Sequence, residues 1–116
     1  MDLRGRWPLP GAATVRDALL EAWAAPSRAY HDLRHLTEVL DRLDELAGGG
    51  EDFPDVPVRL AAWFHDAVYD GRPGAEERSA RWAEEALAGL LPAGTVATVA
   101  RLVRLTEAHR AAVAAG

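Results

Sequence analysis

The amino-acid sequence predicts an all-α fold, a compact bundle of five to six helices. Its 116 residues are rich in the helix formers Ala, Leu, Arg and Glu, and 49% of them are hydrophobic. Apolar side chains recur at the three- and four-residue spacing of a buried helical face, and no segment alternates as a half-buried strand would. A chain of this length can bury one hydrophobic core. We therefore expect residues 1–116 to form a single domain.

Segments that contain proline or glycine mark the ends of the predicted helices. Residues 1–13 are expected to be an extended amino-terminal arm, because Trp7-Pro8-Leu9-Pro10-Gly11 cannot propagate a helix. The first helix is predicted over residues 14–25, with Thr14 as its N-cap and Asp17 in a capping-box-like position. The proline that follows is expected to end this helix.

The second predicted helix covers residues 28–47, between Ser27 as its N-cap and the segment Gly48-Gly49-Gly50. Its apolar residues follow the spacing of one buried stripe. This stripe comprises Leu33, Leu36, Leu40, Leu43 and Ala47.

Three further helices complete the predicted bundle. They cover residues 57–69, 75–90 and 94–108, and the turn Asp70-Gly71-Arg72-Pro73-Gly74 separates the first two. One side of the last helix is expected to pack into the core. That side carries Val96, Val99, Val103 and Thr106.

Charge and residue usage exclude several classes of function. The net charge is −5, and all 13 basic residues are Arg. An acidic balance argues against general nucleic-acid binding, which requires a basic surface. Cysteine is absent, so disulfides and thiolate metal sites are excluded. No apolar run approaches the roughly 18 residues of a membrane span, so we expect no membrane association and a cytoplasmic location.

The four histidines fall inside or at the end of predicted helices. His31 and His35 are four residues apart, which places their rings on one helical face. His65 shares a stripe with apolar residues of the third helix and points inward, and Asp66 follows it directly. A buried carboxylate is costly unless a cation pairs with it. A divalent metal ion would do so, and this donor set suits Mn, Fe, Co, Ni, Zn or Mg.

Two other interpretations of the histidines stay open. A single inward-facing histidine is commonly a hydrogen-bonded core residue, and His109 fits a cation near the C-terminus of a helix. In addition, His31-Asp32-Leu33-Arg34-His35 is an H-D-x-x-H relative of the H-E-x-x-H helix of zinc proteases. In those proteases the two His bind zinc and the acid between them acts as a base. A clear third ligand in the downstream arrangement of that family is missing here.

Four short motifs, in order along the chain, resemble those of one protein group. They are Arg28-Ala29-Tyr30-His31-Asp32-Leu33-Arg34-His35, Phe64-His65-Asp66-Ala67-Val68-Tyr69, Glu76-Glu77-Arg78-Ser79-Ala80 and Thr106-Glu107-Ala108-His109. The set resembles the R-x-Y-H-x-x-x-H, F-H-D-x-x-Y, N-E-x-x-S-A and T-x-x-H motifs of small predicted metal-dependent phosphohydrolases in the HD superfamily. The resemblance spans residues 26–110 and implies an HD-like helical domain.

The resemblance also implies roles for individual residues. His35, His65 and Asp66 would be the metal ligands, and Asp66 would take part in catalysis. His31 would lie one turn from the ligands and act on the substrate phosphate as a catalytic group or a binding contact. The expected substrate contacts are Arg28, His31, Glu76 and His109.

The implied activity is metal-assisted hydrolysis of a phosphate ester or nucleotide. The cation would polarise a phosphoryl oxygen and lower the pKa of a water molecule. The expected partner is therefore a small phosphorylated substrate. Trp7 in the amino-terminal arm is a candidate contact of a homodimer or a cover for one edge of the core.

Two departures from the family pattern bear on this activity. Ala75 occupies the position of the motif's Asn, and no Asp follows the T-x-x-H segment to supply the family's last metal ligand. We therefore expect three ligands of four: either the chain is a truncated form of a longer protein, or its metal site is incomplete. The alternative is a non-catalytic HD-like module that binds a nucleotide, a metal or a protein partner.

Overall fold

The protein has an all-α fold in a computed structural model, which describes residues 3–26, 32–70 and 72–115, with side chains described up to Thr106. Five α-helices and one short 3₁₀ turn are found among these residues, which confirms the predicted fold class. They are the 3₁₀ turn Arg4–Arg6, α1 (Ala13–Trp23), α2 (Leu33–Gly48), α3 (Asp55–Phe64), α4 (Ala75–Leu87) and α5 (Ala93–Ala115). Within the described part, no helix combines the length and the apolar character that crossing a membrane requires.

The hydrophobic core lies between the five helices. Helix α5 packs against both α3 and α4, while α2 packs against α3 and α1 packs against α2. The largest completely buried apolar side chains are Trp23, Trp63, Phe64, Leu19, Leu36, Leu40, Leu60, Leu87, Val99 and Val103. The predicted apolar faces of α2 and α5 therefore supply part of the core. The prediction is wrong at Ala47, which is exposed near the end of α2.

The amino-terminal segment packs against this core. Leu3 is buried, and the ring of Trp7 meets that of Trp63 edge-on, with centroids 5.1 Å apart. Arg6 lies 2.7 Å from carboxylate oxygens of both Asp41 and Asp44 on α2. Trp7 thus covers one edge of the core, which is one of the two roles expected for it.

The start of α1 differs from the prediction. The helix begins at Ala13, with Ala12 as its N-cap and no side-chain cap, so that Thr14 lies inside the first turn. The backbone supplies the first bond of the helix, because Arg16 N donates to the Ala12 carbonyl at 3.2 Å. Asp17 accepts a hydrogen bond from Arg16 Nε instead of forming the predicted capping box.

Helix α2 begins at Leu33, later than predicted. Asp32 has an extended backbone, and its carboxylate accepts a hydrogen bond from Arg34 N at 3.0 Å, which makes Asp32 the N-cap. The predicted start of α2 at residue 28 is therefore wrong, while the shared helical face predicted for His31 and His35 stays a prediction. Ser27, the predicted cap, and His31 lie outside the described residues.

Helix α3 begins at Asp55 and ends at Phe64, five positions short of the end predicted at residue 69. Pro57 fits in its first turn, where a backbone N–H would have no helical acceptor. The chain then turns, because Ala67 N donates to the Phe64 carbonyl at 3.0 Å. His65 and Asp66 consequently stand at the end of a helix rather than within one. Helix α4 also ends early, at Leu87, whereas α5 continues past residue 108.

Arg104 of α5 holds two carboxylates of α4. Its guanidinium lies 2.7 Å from Glu77 Oε1 and 3.1 Å from Glu84 Oε1. The hydrogen bond from Arg104 is the main cause that lowers the pKa of Glu77 from its ordinary 4.5 to about 2. Because folding favours the ionised carboxylate, this stabilisation is complete above pH 4.5 and is lost as the pH falls towards 2.

We expect Glu77→Gln to reduce the acid sensitivity of the fold. The melting temperature of the variant should fall less steeply between pH 4.5 and pH 2 than that of the unaltered protein, because the variant has no carboxylate to protonate at this position. Thermal unfolding followed by circular dichroism over this pH range measures the difference. Glu85→Gln is the control, since Glu85 is exposed on the same helix. Identical slopes for both variants and the unaltered protein would show that the Arg104 contact is too weak to matter.

Candidate metal centre

Three predicted ligands, His35, His65 and Asp66, meet between the first turn of α2 and the end of α3. His35 Nε2 lies 3.4 Å from His65 Nε2 and 3.8 Å from Asp66 Oδ2. His65 Nε2 lies 3.6 Å from the same Oδ2. The side chains of His35, His65 and Asp66 are 18%, 11% and 3% exposed, so the three donor atoms face one another in a largely desolvated space.

These distances fit one small cation. A triangle with sides of 3.4, 3.6 and 3.8 Å has a circumscribed circle of radius about 2.1 Å, and bonds from a divalent transition metal to imidazole nitrogen or carboxylate oxygen are about 2.0–2.2 Å long. The donors therefore already have the spacing that one shared ion requires. Two imidazoles with one carboxylate suit Mn, Fe, Co, Ni or Zn better than Mg, which prefers oxygen ligands.

The hydrogen bonds of His65 direct one of its ring nitrogens to this centre. Its Nδ1 donates to the carbonyl of Ala62, so in the neutral imidazole the lone pair lies on Nε2, which faces His35 and Asp66. A carbonyl in this position sets the tautomer and the ring orientation of metal-binding histidines. The Ala62 carbonyl can accept this bond because α3 ends at Phe64, which leaves the last carbonyls of the helix without helical donors.

Ser79 of α4 fixes the backbone that follows the His65-Asp66 pair. Its side chain is completely buried, and its Oγ accepts a hydrogen bond from Val68 N at 3.0 Å. Val68 needs an acceptor outside α3 because the helix has already ended. Ser79 belongs to the third HD-like motif, so the sequence draws attention to it without indicating this contact.

Arg78, the neighbour of Ser79, holds the next turn of the same loop. Its guanidinium donates to the two carboxylate oxygens of Asp70 at 2.6 and 3.0 Å, and to the carbonyls of Arg72 and Pro73 at 3.2 and 3.1 Å. The hydrogen bond from Arg78 is the main cause that lowers the pKa of Asp70 below its ordinary value. Two successive residues of α4 thereby anchor the loop that carries Asp66.

Trp23 packs against both histidines of the centre. The centroid of its ring system lies 5.5 Å from that of His65 and 6.3 Å from that of His35. Its indole Nε1 donates to the Trp63 carbonyl in the last turn of α3 at 2.9 Å, and the whole side chain is buried. Sequence reasoning missed Trp23, because a tryptophan at the end of a predicted helix indicates burial but not its neighbours.

Of the other predicted site residues, Glu76 is the one whose side chain the structure describes. Arg28 and His31 lie outside the described residues, and the side chain of His109 does too, although its backbone belongs to α5. Glu76 is buried in the first turn of α4, three residues before Ser79, and is not one of the three grouped ligands. The roles predicted for these four residues stay predictions.

Comparison with known proteins adds no family assignment. No protein-family model, no curated protein and no solved structure matches this chain. The resemblance to HD phosphohydrolases therefore rests on the four motifs and remains a prediction.

Proposed function

We propose that this protein is a metal-dependent phosphohydrolase that cleaves a phosphate ester or a nucleotide. The observation that carries the proposal is the spacing of His35, His65 and Asp66, which fits one divalent ion. Three protein ligands, with the remaining coordination positions left to water or substrate, are typical of catalytic metal sites. The four HD-like motifs, in their order along the chain, support phosphate esters as the class of substrate.

Each residue of the centre has a distinct task in this proposal. When bound, the metal supplies Lewis-acid chemistry towards a phosphoryl oxygen and an attacking water. His65 offers a nitrogen whose lone pair is kept available by its bond to the Ala62 carbonyl. Asp66 contributes a negative charge that is almost fully shielded from solvent, where it attracts a cation strongly. Arg28 would orient the phosphate through the guanidinium, which matches that geometry, and His31 would contact the same group.

A non-catalytic module that binds a metal, a nucleotide or a protein partner is the second candidate. The described residues bring three donor groups together, one fewer than the HD pattern implies. In this second candidate the three ligands would hold a metal, and the missing fourth ligand would prevent hydrolysis. This candidate and the hydrolase share the ligand set, so metal content alone does not separate them.

Purified protein is expected to carry close to one divalent ion per chain and to release phosphate when Mn, Co, Ni or Mg is supplied. Elemental analysis measures the first property, and phosphate release from p-nitrophenyl phosphate and from a panel of nucleotides measures the second. Metal binding without turnover on any substrate would favour the non-catalytic module. Protein that neither contains nor takes up metal would contradict the proposed function.

A further inference from the structure

An apolar groove of about 290 Å³ opens beside His65. It is lined by Val39 and Leu43 of α2, by Val58, Ala61 and Ala62 of α3, by His65 directly after that helix, and by Thr106 of α5. Two of the lining side chains are polar, His65 and Thr106. The Thr106 hydroxyl donates its hydrogen bond to the Val103 carbonyl within its own helix. The volume is close to the lower end of the range for small-molecule sites, roughly 300–1,000 Å³.

The groove shares His65 with the candidate metal centre. On α2, His35, Val39 and Leu43 follow one another at four-residue spacing and so lie on one face. Val58 of α3 and His65, the C-cap of that helix, are seven residues apart on one face, which corresponds to about 10 Å along the helix axis. The two histidines therefore occupy one end of the interface between α2 and α3, and the groove extends along that interface away from them.

The lining of the groove favours a hydrocarbon occupant. None of the described side chains that form it is charged, so a second phosphate or another ionic group would find no partner there. A polar group transferred from water into such a lining loses hydrogen bonds that are not replaced. An alkyl or aryl group loses none and removes its own apolar surface from water.

We propose that this groove binds the organic group of the substrate, so that the protein prefers phosphate esters of apolar alkyl or aryl alcohols. The phosphate would lie at His35, His65 and Asp66, and the hydrocarbon would extend between α2 and α3 towards Val58. This inference rests on the proposed function for the position of the phosphate. It adds the chemical class of the group to which the phosphate is attached.

Binding of two non-hydrolysable probes, methylphosphonate and hexylphosphonate, tests the inference in the presence of Mn²⁺. Hexylphosphonate is expected to bind at least tenfold more tightly, because each fully buried methylene raises affinity roughly fourfold. Isothermal titration calorimetry gives the two dissociation constants. Nuclear magnetic resonance of labelled methyl groups locates the chain, which should shift the signals of Val39, Leu43 and Val58.

Val58→Trp fills the far end of the groove and should bring the two affinities within twofold of each other. Its matched control is Ala97→Trp, which places the same side chain at a separate pocket of about 340 Å³, formed by α4, α5 and the segment between them, and should leave the preference intact. If Val58→Trp does not fold, Val58→Thr keeps nearly the same shape and should still reduce the preference twofold to threefold. Metal content is expected to be the same in all of these variants.

Equal affinities for the two probes, or a preference that survives both changes at Val58, would overturn the inference. So would methyl signals that shift with protein concentration in the absence of a probe, since a second copy would then occupy the groove. Phosphate release from p-nitrophenyl phosphate is measured on the same preparations. A preference for hexylphosphonate without phosphate release would support this inference and show that the proposed hydrolysis is wrong. Phosphate release without such a preference would support the proposed hydrolysis and show that this inference is wrong.

Discussion

Replacing Asp66 with Asn is expected to weaken the binding of a divalent metal by more than 100-fold. The substitution removes the anionic donor of the centre but keeps the size of the side chain, which is 3% exposed. Loss of a group that merely orients a ligand costs roughly 10–100-fold in affinity, so loss of a charged ligand should cost more. Isothermal titration calorimetry with Mn²⁺ or Zn²⁺ gives the dissociation constants of the variant and of the unaltered protein.

Thermal unfolding provides a second measurement of the same change. Metal at 100 times its dissociation constant should stabilise the unaltered protein by about 2.7 kcal/mol and leave Asp66→Asn almost unaffected. Asp52→Asn, at an exposed position outside the helices, is the control and should keep full metal affinity. Asp66→Asn that binds metal normally would show that the ligand assignment is wrong.

Truncation of Trp23 to Ala is expected to produce the largest loss of stability among single changes near the centre, about 3–5 kcal/mol. The side chain is completely buried, and its indole N–H is bonded to the Trp63 carbonyl at 2.9 Å. Since a domain of this size has a free energy of unfolding of about 5–15 kcal/mol, this change alone could unfold the protein. Urea denaturation followed by circular dichroism measures the loss.

Trp23→Phe separates packing from hydrogen bonding at this position. It keeps an aromatic ring next to the two histidines but leaves the Trp63 carbonyl without its donor, which should cost about 1–3 kcal/mol. Trp82→Phe is the matched control, because Trp82 is only half-buried and meets Phe64 edge-on at 6.3 Å. Equal losses for these two variants would mean that the bond from Trp23 to α3 is not a major support of the centre.

Periodicity predicted the helices and much of the core, because a buried helical face has a spacing that can be read along the chain. Leu36 and Leu40 of α2, and Val99 and Val103 of α5, are all completely buried, as their spacing indicates. Helix ends were harder to predict. Ser27 and Asp32 are both good N-cap residues, and local sequence does not show which of them the chain uses. The hydrogen bond that Arg34 N donates to the Asp32 carboxylate is visible only in the structure.

The ligands of the candidate metal centre were predicted from the sequence, but the contacts that position them were not. The neighbouring His65 and Asp66 indicated a cation site, and the structure places them beside His35. That α3 stops one residue before His65 depends on contacts with other parts of the chain. Ser79, eleven positions after Val68, accepts a hydrogen bond from the Val68 N–H, which a longer helix would have used within itself. A periodicity argument applied to α3 alone contains no information about such a contact.

The separation of His35 and His65 along the chain has a consequence for the lifetime of the folded state. The two residues are 30 positions apart, and the sequence contains no cysteine that could form a covalent cross-link. An ion held by both would join α2 to α3, so that these helices could not separate before the bonds to the ion break. Unfolding of the loaded protein should therefore be slower as well as less favourable, which gives it kinetic resistance to heat and proteolysis.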